Sequence, residues 1–524
     1  MKLLHEFFLK NVKENPENKA IIFPESFITY RDLYNISHLW AANIKNNINE
    51  KEMPLEKIAI LGRKSLSAYA GELSSLYLGA AFIPLNPRFP IERLISILNV
   101  SKPTVIIADN GSIPCLLKIM KESTFKPTLV FLPEYEKDVE ISNSKIITKN
   151  SIIIRDPFFE ILPYNEEKIA YIMFTSGSTG NPKGVPISHK SVSAFINYNS
   201  TIYKLGPTDR FTQFFELTFD LSIFDIYMPL SLGAAICVPS DLDIVSPKAY
   251  VEKNNITVWF SAPSALSLYK TQSILSENDL NSIHLSLFCG EALDISLVYY
   301  WFKVCPQSIV ENLYGPTELA ICCSRYRCER DKEIAEYHGI VSIGSIYANL
   351  SYIILNEQEN SFEKAQEFGE LCVDGPQKFN GYLDPNNEFN TFYENYKTGK
   401  KYYKTGDVVK VLSDGNLLYL GRKDQQVKIN GFRVEILEIE SCLKKFLKTN
   451  VIVVPWLFQN NQCKGLGSFV EGKTSVEEKE IFDYLRKHLP QYMIPSRFHF
   501  LENFPLNSNG KIDKKQLIKI LQKG

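Results

Sequence analysis

The 524-residue sequence has no apolar run of about 18 residues, so no segment reads as a membrane-spanning helix. It has no CxxC pair and no His-rich stretch to complete a zinc site. Its ten cysteines are scattered without a framework spacing, with Cys322 and Cys323 adjacent. This excludes a disulfide scaffold and fits reduced thiols in a cytoplasmic protein. A formal net charge of -1 leaves no basic field to hold nucleic acid and no acidic tail. The lysines from Lys511 onward read as solvated surface. Glu and Lys interrupt the N-terminus too early for a signal peptide. Leu3, Leu4, Phe7, Phe8 and Val12 instead recur at helical spacing, which predicts an amphipathic helix. There is no internal repeat and no low-complexity linker.

What remains is ordinary globular composition, 45% apolar and 22% charged, on a chain long enough for roughly two to four domains. From about residue 15 to 420, apolar runs at 20–23, 57–62, 104–108, 169–174 and 235–238 read as strands. Helical patterns such as 65–79 and 91–99 lie between them. That alternation predicts an α/β architecture with buried, largely parallel sheets. After Gly421 the texture changes. Strand-like QVKINGFRVE precedes a helix at 436–446, a strand at 450–455 and a helix at 476–489. This predicts a small α+β domain, 424–524, after a large one, 1–423.

The sharpest local signal is YIMFTSGSTGNPKGV at 171–185. An apolar strand runs into Thr175, Ser176, Gly177, Ser178, Thr179 and Gly180. Small residues let backbone N–H groups approach an anion, and hydroxyls add donors. Lys183 supplies a positive charge, and a helical pattern starts near His189. It is not a Walker A loop, because Pro182 precedes the lysine and Gly184 follows it. A phosphate cradle and a Ser/Gly-rich connector both fit this stretch alone.

The loop resembles the phosphate-binding signature of the adenylate-forming superfamily, which includes acyl- and aryl-CoA synthetases, luciferases and the adenylation domains of nonribosomal peptide synthesis. Further blocks resemble the family's in its own order: LGAAFIPLNP at 78–87, FDLSIFD at 219–225, NLYGPTE at 312–318, GELCV at 369–373 and YKTGD at 403–407. GRKDQQVKINGFRVE at 421–435, LPQYMIP at 489–495 and NGKID at 509–513 complete the series. The resemblance implies a large N-terminal domain of stacked sheets with flanking helices, followed by a small mobile domain. Asp374, where a small residue is usual, departs from the pattern without touching the chemistry.

The same resemblance implies ATP and Mg²⁺, with residues 175–180 and Lys183 on the β- and γ-phosphates. Thr317 would approach the α-phosphate and Glu318 would hold Mg²⁺, for which a carboxylate oxygen is a suitable donor. Tyr314 would stack on adenine and Asn312 would bond its edge, with Gly290, Gly315 and Tyr419 nearby. Asp407 would accept the ribose hydroxyls beside Arg422. Taken singly, Asp407 is also a turn residue after Gly406 and Tyr314 a core aromatic. Lys511 matches the lysine that bridges the acid and the α-phosphate; alone it is a surface charge in a turn. Asp424 matches the family's hinge. Gly431 would leave room for a phosphopantetheine arm, and Asn430-Gly431 equally reads as a hairpin turn.

By the same matching, Asp220 pairs with the α-ammonium of an amino acid; its plainer reading is a helix N-cap. The matched pocket positions are Leu221, Phe224, Phe260, Leu287, Cys289, Leu313, Ile321 and Cys322. They hold no carboxylate, amide or basic group, so the acid is small to medium, neutral and apolar. The set is most similar to prolyl-activating members, with cysteine and alanine activators as rivals. Only a short segment follows Asp513, and no HHxxxDG run precedes the blocks. The expectation is a freestanding enzyme that loads a separate carrier protein and binds neither nucleic acid nor membrane. A D-alanine ligase, which the FCGE run at 288–291 also resembles, a CoA ligase for a small acid and a catalytically silent homologue are the alternatives.

Overall fold

The computed structural model describes residues 2–49, 54–153, 159–161, 164–177, 182–356, 367–387, 391–395, 398–423, 426–456, 458–459, 462–472, 476–505 and 512–523. The five apolar runs are strands with ends within a residue of those read from the sequence. The helical patterns are Leu66–Tyr77 and Ile91–Ser101. Ser65 caps the first of these, its hydroxyl accepting from the Ala68 amide. That helix is buried along almost its whole length, so small residues (Ala68, Ala70, Gly71, Ser74, Ser75) replace the polar face of a surface helix.

Two large sheets form the N-terminal domain. One has seven strands in the order 145–148, 129–132, 105–108, 57–61, 81–85, 169–175, 183–188, parallel except for the last pair. The other has nine, parallel through its centre from Ile309–Tyr314 to Lys19–Ile22 and antiparallel at both edges. Strands buried on both faces read as continuous apolar runs, which is why they were legible in the sequence. One core joins the two sheets.

The expectation of largely parallel pairing fails between 351 and 422. That stretch is a five-stranded antiparallel sheet. Its central strand, Lys401–Val411, alternates buried and less buried positions, the period-two pattern of a sheet with unlike faces. Thr405-Gly406-Asp407 is accordingly not a turn. It lies inside that strand, where the register shifts and Gly406 takes φ 74°. The smaller C-terminal domain pairs Val451–Pro455, Leu466–Glu471 and Arg497–Leu501 in one sheet. Helices Ile436–Leu447 and Glu478–His488 share its core through Ile439, Leu443, Ile481 and Leu485. Among the described residues no helix is long and apolar enough to cross a membrane, and none of the ten cysteines is in a disulfide.

The predicted N-terminal helix is Leu4–Glu14. It inserts Leu4, Phe7 and Phe8 into the large core, and it buries His5 as well. The Leu4 amide donates to His189 Nδ1 at 3.0 Å, and the Tyr164 hydroxyl lies 3.1 Å from His189 Nε2 and 3.3 Å from His5 Nδ1. Burial lowers His5 to about 4. Burial, with His5 and Lys168 adding, lowers His189 to about 3. Both values lie below the unfolded one of about 6.5, so the unfolded chain binds more protons as pH falls. Stability from this pair is therefore complete above about pH 6.5 and is lost progressively as pH falls toward about 4 for His5 and about 3 for His189. The urea midpoint should fall between pH 7 and pH 5, with a shallower slope in His5→Gln; an unchanged slope would show that other groups drive acid unfolding.

Candidate active site

Parallel strands end in exposed carboxyl-side loops, and in open α/β sheets ligands bind there. Here the ends of Ile169–Thr175, Leu285–Phe288 and Ile309–Tyr314 surround a cleft with two connected chambers. Gly290, Tyr314, Asp407 and Arg422 line both. The first chamber takes in Thr175, Ser176, Asp220, Leu221, Cys289 and Thr317. The second takes in Asn312, Leu313, Ile340, Val341, Ile343 and Tyr419. The hairpin Val427–Ile429 and Phe432–Val434 reaches in from the smaller domain, bringing Lys428, Gly431 and Arg433.

Backbone geometry makes the close approaches possible. A Cβ on Gly315 would lie 2.4 Å from Cys322 Cα, so only glycine lets this strand end pass the 320–322 turn. Ala320 and Ile321 sit at φ 52° and 82°. Positive φ is strained for a β-branched residue, and such strain concentrates at functional sites.

Asp220 occupies the N-cap position of helix Leu221–Leu232, but its side chain makes no capping hydrogen bond. The N-cap reading therefore fails. The side chain is buried, and Oδ2 has no hydrogen-bond partner among the described residues. Burial, with Glu318 adding, pushes the carboxyl up to about 7 against the Thr317 hydroxyl and Lys428. Of the matched pocket residues, Leu221 and Cys289 share its chamber and Leu313 faces the other. Phe224, Phe260, Leu287, Ile321 and Cys322 lie in the core behind. Phe260 packs at 4.8 Å between centroids on both Phe215 and Phe224.

Glu318 is fully buried. It accepts from the Tyr382 hydroxyl at 2.8 Å and from Arg433 Nη1 at 3.0 and 3.2 Å. Burial works against its charge, but Arg433 foremost, with hydrogen bonds including that from Tyr382, holds it below the usual carboxylate range. Asp407 faces Arg422 across the antiparallel ladder, with Nη1 at 2.9 Å from Oδ1, and accepts from the Tyr314 hydroxyl on Oδ2. Tyr314 is thus a buried aromatic with a polar bond inside the cleft. Asn312 donates to the Ser342 carbonyl at 2.9 Å, while its Oδ1 has no partner among the described residues.

Thr175 ends its strand, and Lys183 starts the next with its Nζ 5.5 Å from the Tyr382 ring centroid. Ser176 Oγ donates to the Arg433 carbonyl at 2.9 Å and accepts from the Glu435 amide at 3.2 Å. The Gly177 amide donates to Glu438 Oε2 at 3.2 Å. Ser178, Thr179, Gly180, Asp424 and Lys511 fall outside the described residues. Asn430 and Gly431 have φ 49° and 84°, as a two-residue hairpin turn requires. The Gly431 amide donates to Glu291 Oε1 at 2.7 Å, and a Cβ there would meet Ala262 at 3.4 Å.

Sequence reasoning passed over Lys428, Arg433, Glu438, Glu291 and Arg93. The first three lie in or just after a recognised block, yet nothing in local spacing says they meet residues a hundred or more positions earlier. One signal was available: Lys428 and Arg433 are cross-strand partners, so the hairpin presents both on one face.

The model of the AMP-binding enzyme family matches residues 8–383. Zwittermicin A synthase ZmaJ of Bacillus cereus is 30% identical over 525 residues, covering 98% of this chain and 94% of that protein. Tyrocidine synthase 3 of Brevibacillus parabrevis is 30% identical over 99% of this chain, which spans only 8% of that protein's length. Against gramicidin S synthase 2 of Brevibacillus brevis the chain spans 11%. Among solved structures, the Vibrio cholerae adenylation domain AlmE, in complex with glycyl-adenosine-5'-phosphate, aligns with a TM-score of 0.88 at 29% identity, covering 99% of this chain and 98% of that one. The chain belongs to the AMP-binding enzyme family, as an adenylate-forming ligase of the peptide-synthetase adenylation type.

Proposed function

We propose that the enzyme activates a small apolar amino acid, L-proline before others, as its aminoacyl-AMP and then passes it to the phosphopantetheine thiol of a separate carrier protein. The observation that carries the amino-acid reading is Asp220. A buried carboxylate with an unpartnered oxygen is costly unless a charged donor arrives, and an α-ammonium supplies one. An acid without the amine would leave that cost standing. The matched apolar residues around and behind Asp220 support a neutral side chain.

Adenylate-forming ligases use ATP with Mg²⁺. The second chamber suits the nucleoside: apolar Ile340, Val341 and Ile343 for the ring, and Asn312 Oδ1 as acceptor for the adenine amino group. Asp407 would take the ribose hydroxyls. The substrate carboxylate oxygen attacks the α-phosphorus, a P–O bond forms, and the bond to the β-phosphate oxygen breaks to release pyrophosphate. Thr317 and Lys511 are assigned to the reacting phosphate, and 175–180 with Lys183 to the departing one. Preorganised donors matter here because both reactants are anions. Glu318 fits Mg²⁺, since one buried carboxylate plus substrate phosphate oxygens is a donor set this ion accepts. When bound, the ion would neutralise charge on the phosphates. In the second step the carrier thiolate attacks the acyl carbon and AMP leaves. Gly431 is assigned to the arm's passage, and the division at 423/424 with Asp424 as hinge to the exchange of the two arrangements.

Pyrophosphate exchange with proline, cysteine, alanine, D-alanine and glycine tests the substrate. Proline should lead. A lead for glycine, the residue in the AlmE complex, or for alanine would overturn proline and keep the reaction. Lys511→Ala should cut exchange by orders of magnitude while ATP still binds; unchanged exchange removes Lys511 from the chemistry. Only ionised Asp220 pairs with ammonium, and it titrates at about 7 in the free site. Amino-acid kcat/KM should therefore fall as pH drops below about 7, approaching about tenfold per unit. Asp220→Asn should lower it throughout and abolish this limb; a retained limb assigns the titration elsewhere.

A further inference from the structure

The turn of the hairpin that enters the cleft rests on one carboxylate. Ile429 and Phe432 close its ladder, leaving Asn430 and Gly431 as the two turn residues. The second amide of such a turn stays outside the ladder, so once buried it needs an acceptor from elsewhere. Glu291 Oε1 supplies it at 2.7 Å. Glu291 Oε2 accepts from the Ser264 amide at 2.9 Å, and the residue is 8% exposed. Ser264 lies in the first turn of helix Pro263–Thr271. Lys464, also of the smaller domain, is a charge neighbour of Glu291. Elsewhere the boundary between the domains is crossed by ion pairs, such as Arg93 Nη1 on Glu438 Oε1 at 2.7 Å, 5% and 2% exposed.

The two oxygens of Glu291 have different tasks. Amides in the first turn of a helix have no acceptor inside it, and the helix dipole favours an anion there. The Ser264 bond therefore holds Glu291 through groups of the larger domain alone. Its other oxygen is left aimed at the place the hairpin turn occupies. On the reading above, which this inference rests on, Gly431 borders the passage of the phosphopantetheine arm, and the smaller domain takes a different arrangement for the first half-reaction. We propose that Glu291 is a positioning residue for the second half-reaction, a preset acceptor that fixes the Asn430-Gly431 turn beside the arm.

The geometry separates its effects on the two steps. A turn tip facing water finds acceptors there, so the Gly431 amide has a use for Glu291 only in the docked arrangement seen here. Adenylate formation, assigned to Lys511 in the other arrangement, does not draw on that bond. Thioester formation does. Gly431 has no side chain with which to anchor the tip, so the backbone bond carries that task. Without its acceptor the amide is left buried and unpaired, or the tip shifts to reach another. Either moves the wall of the passage, and a displacement of about 1 Å is enough to slow attack of the thiolate on the acyl carbon.

The test uses the full-length protein, the amino acid that leads in pyrophosphate exchange, and D-pantetheine as the thiol. Glu291→Gln keeps the size, but whichever way its amide is turned, one of the two bonds becomes donor against donor. Thioester formation, measured as kcat/KM for pantetheine, should fall about tenfold further than pyrophosphate exchange does, the loss of one charge-assisted hydrogen bond. Glu291→Ala should widen that gap, and hydrogen exchange at the Gly431 amide should quicken in both variants. An equal fall in both reactions, no fall in either, or a Gly431 amide as protected as in the wild type would overturn the inference and leave the two-step reading standing. A wild type that exchanges pyrophosphate yet makes no thioester with pantetheine would overturn the two-step reading, and the inference with it.

Discussion

Buried negative charge is the constraint around which this molecule is arranged. Asp220, Glu318, Asp407 and Glu438 all converge on one cleft, and each is at most 5% exposed. A carboxylate out of water is tolerated only with a matching donor or cation. Three of the four are answered from within the chain, by Arg433, Arg422 and Arg93. Arginine suits all three because its guanidinium is always charged and offers several donors. Among the described residues Asp220 alone of the four keeps an unmatched oxygen, and it is the one assigned to the amine of the proposed substrate. On the proposed reading, the difference in pairing is a difference in role.

The parts of the fold legible in the sequence were those whose local pattern matched their final surroundings. Fully buried strands such as Val105–Ala108 and Leu129–Leu132 are unbroken apolar runs because helices and sheets cover both faces. The antiparallel sheet from 351 to 422 was harder. Its strands mix polar and apolar residues, and Gly406 inside one of them imitates a turn in the sequence. Asp220 was misleading in the opposite way. Residue type and position both suit an N-cap, yet its side chain makes no capping hydrogen bond.

The cleft was legible where it is built from contiguous blocks and silent where it is built from distant pairs. NLYGPTE delivers Asn312, Tyr314, Thr317 and Glu318 in one pass because a strand, a tight glycine and a short turn carry them to the same place. Arg93 carries no motif. It lies on helix Ile91–Ser101, far in sequence from Glu438, and only packing of one domain on the other reveals what it does. Hydrophobic periodicity reports what a residue's own element needs, not what its side chain meets across an interface.

The Arg93–Glu438 pair also bears on recombining such enzymes. Exchange of C-terminal portions between adenylation enzymes at a junction near residue 423 would separate two members of one buried ion pair. A graft lacking a carboxylate at 438 would strand Arg93 in a dry pocket, at a cost of roughly 3–5 kcal/mol. A graft that brings the carboxylate into a host lacking the arginine fails from the other side. Compatibility of a chimera thus hinges on a residue some 330 positions away from the seam, and a junction chosen by the boundary alone would miss it.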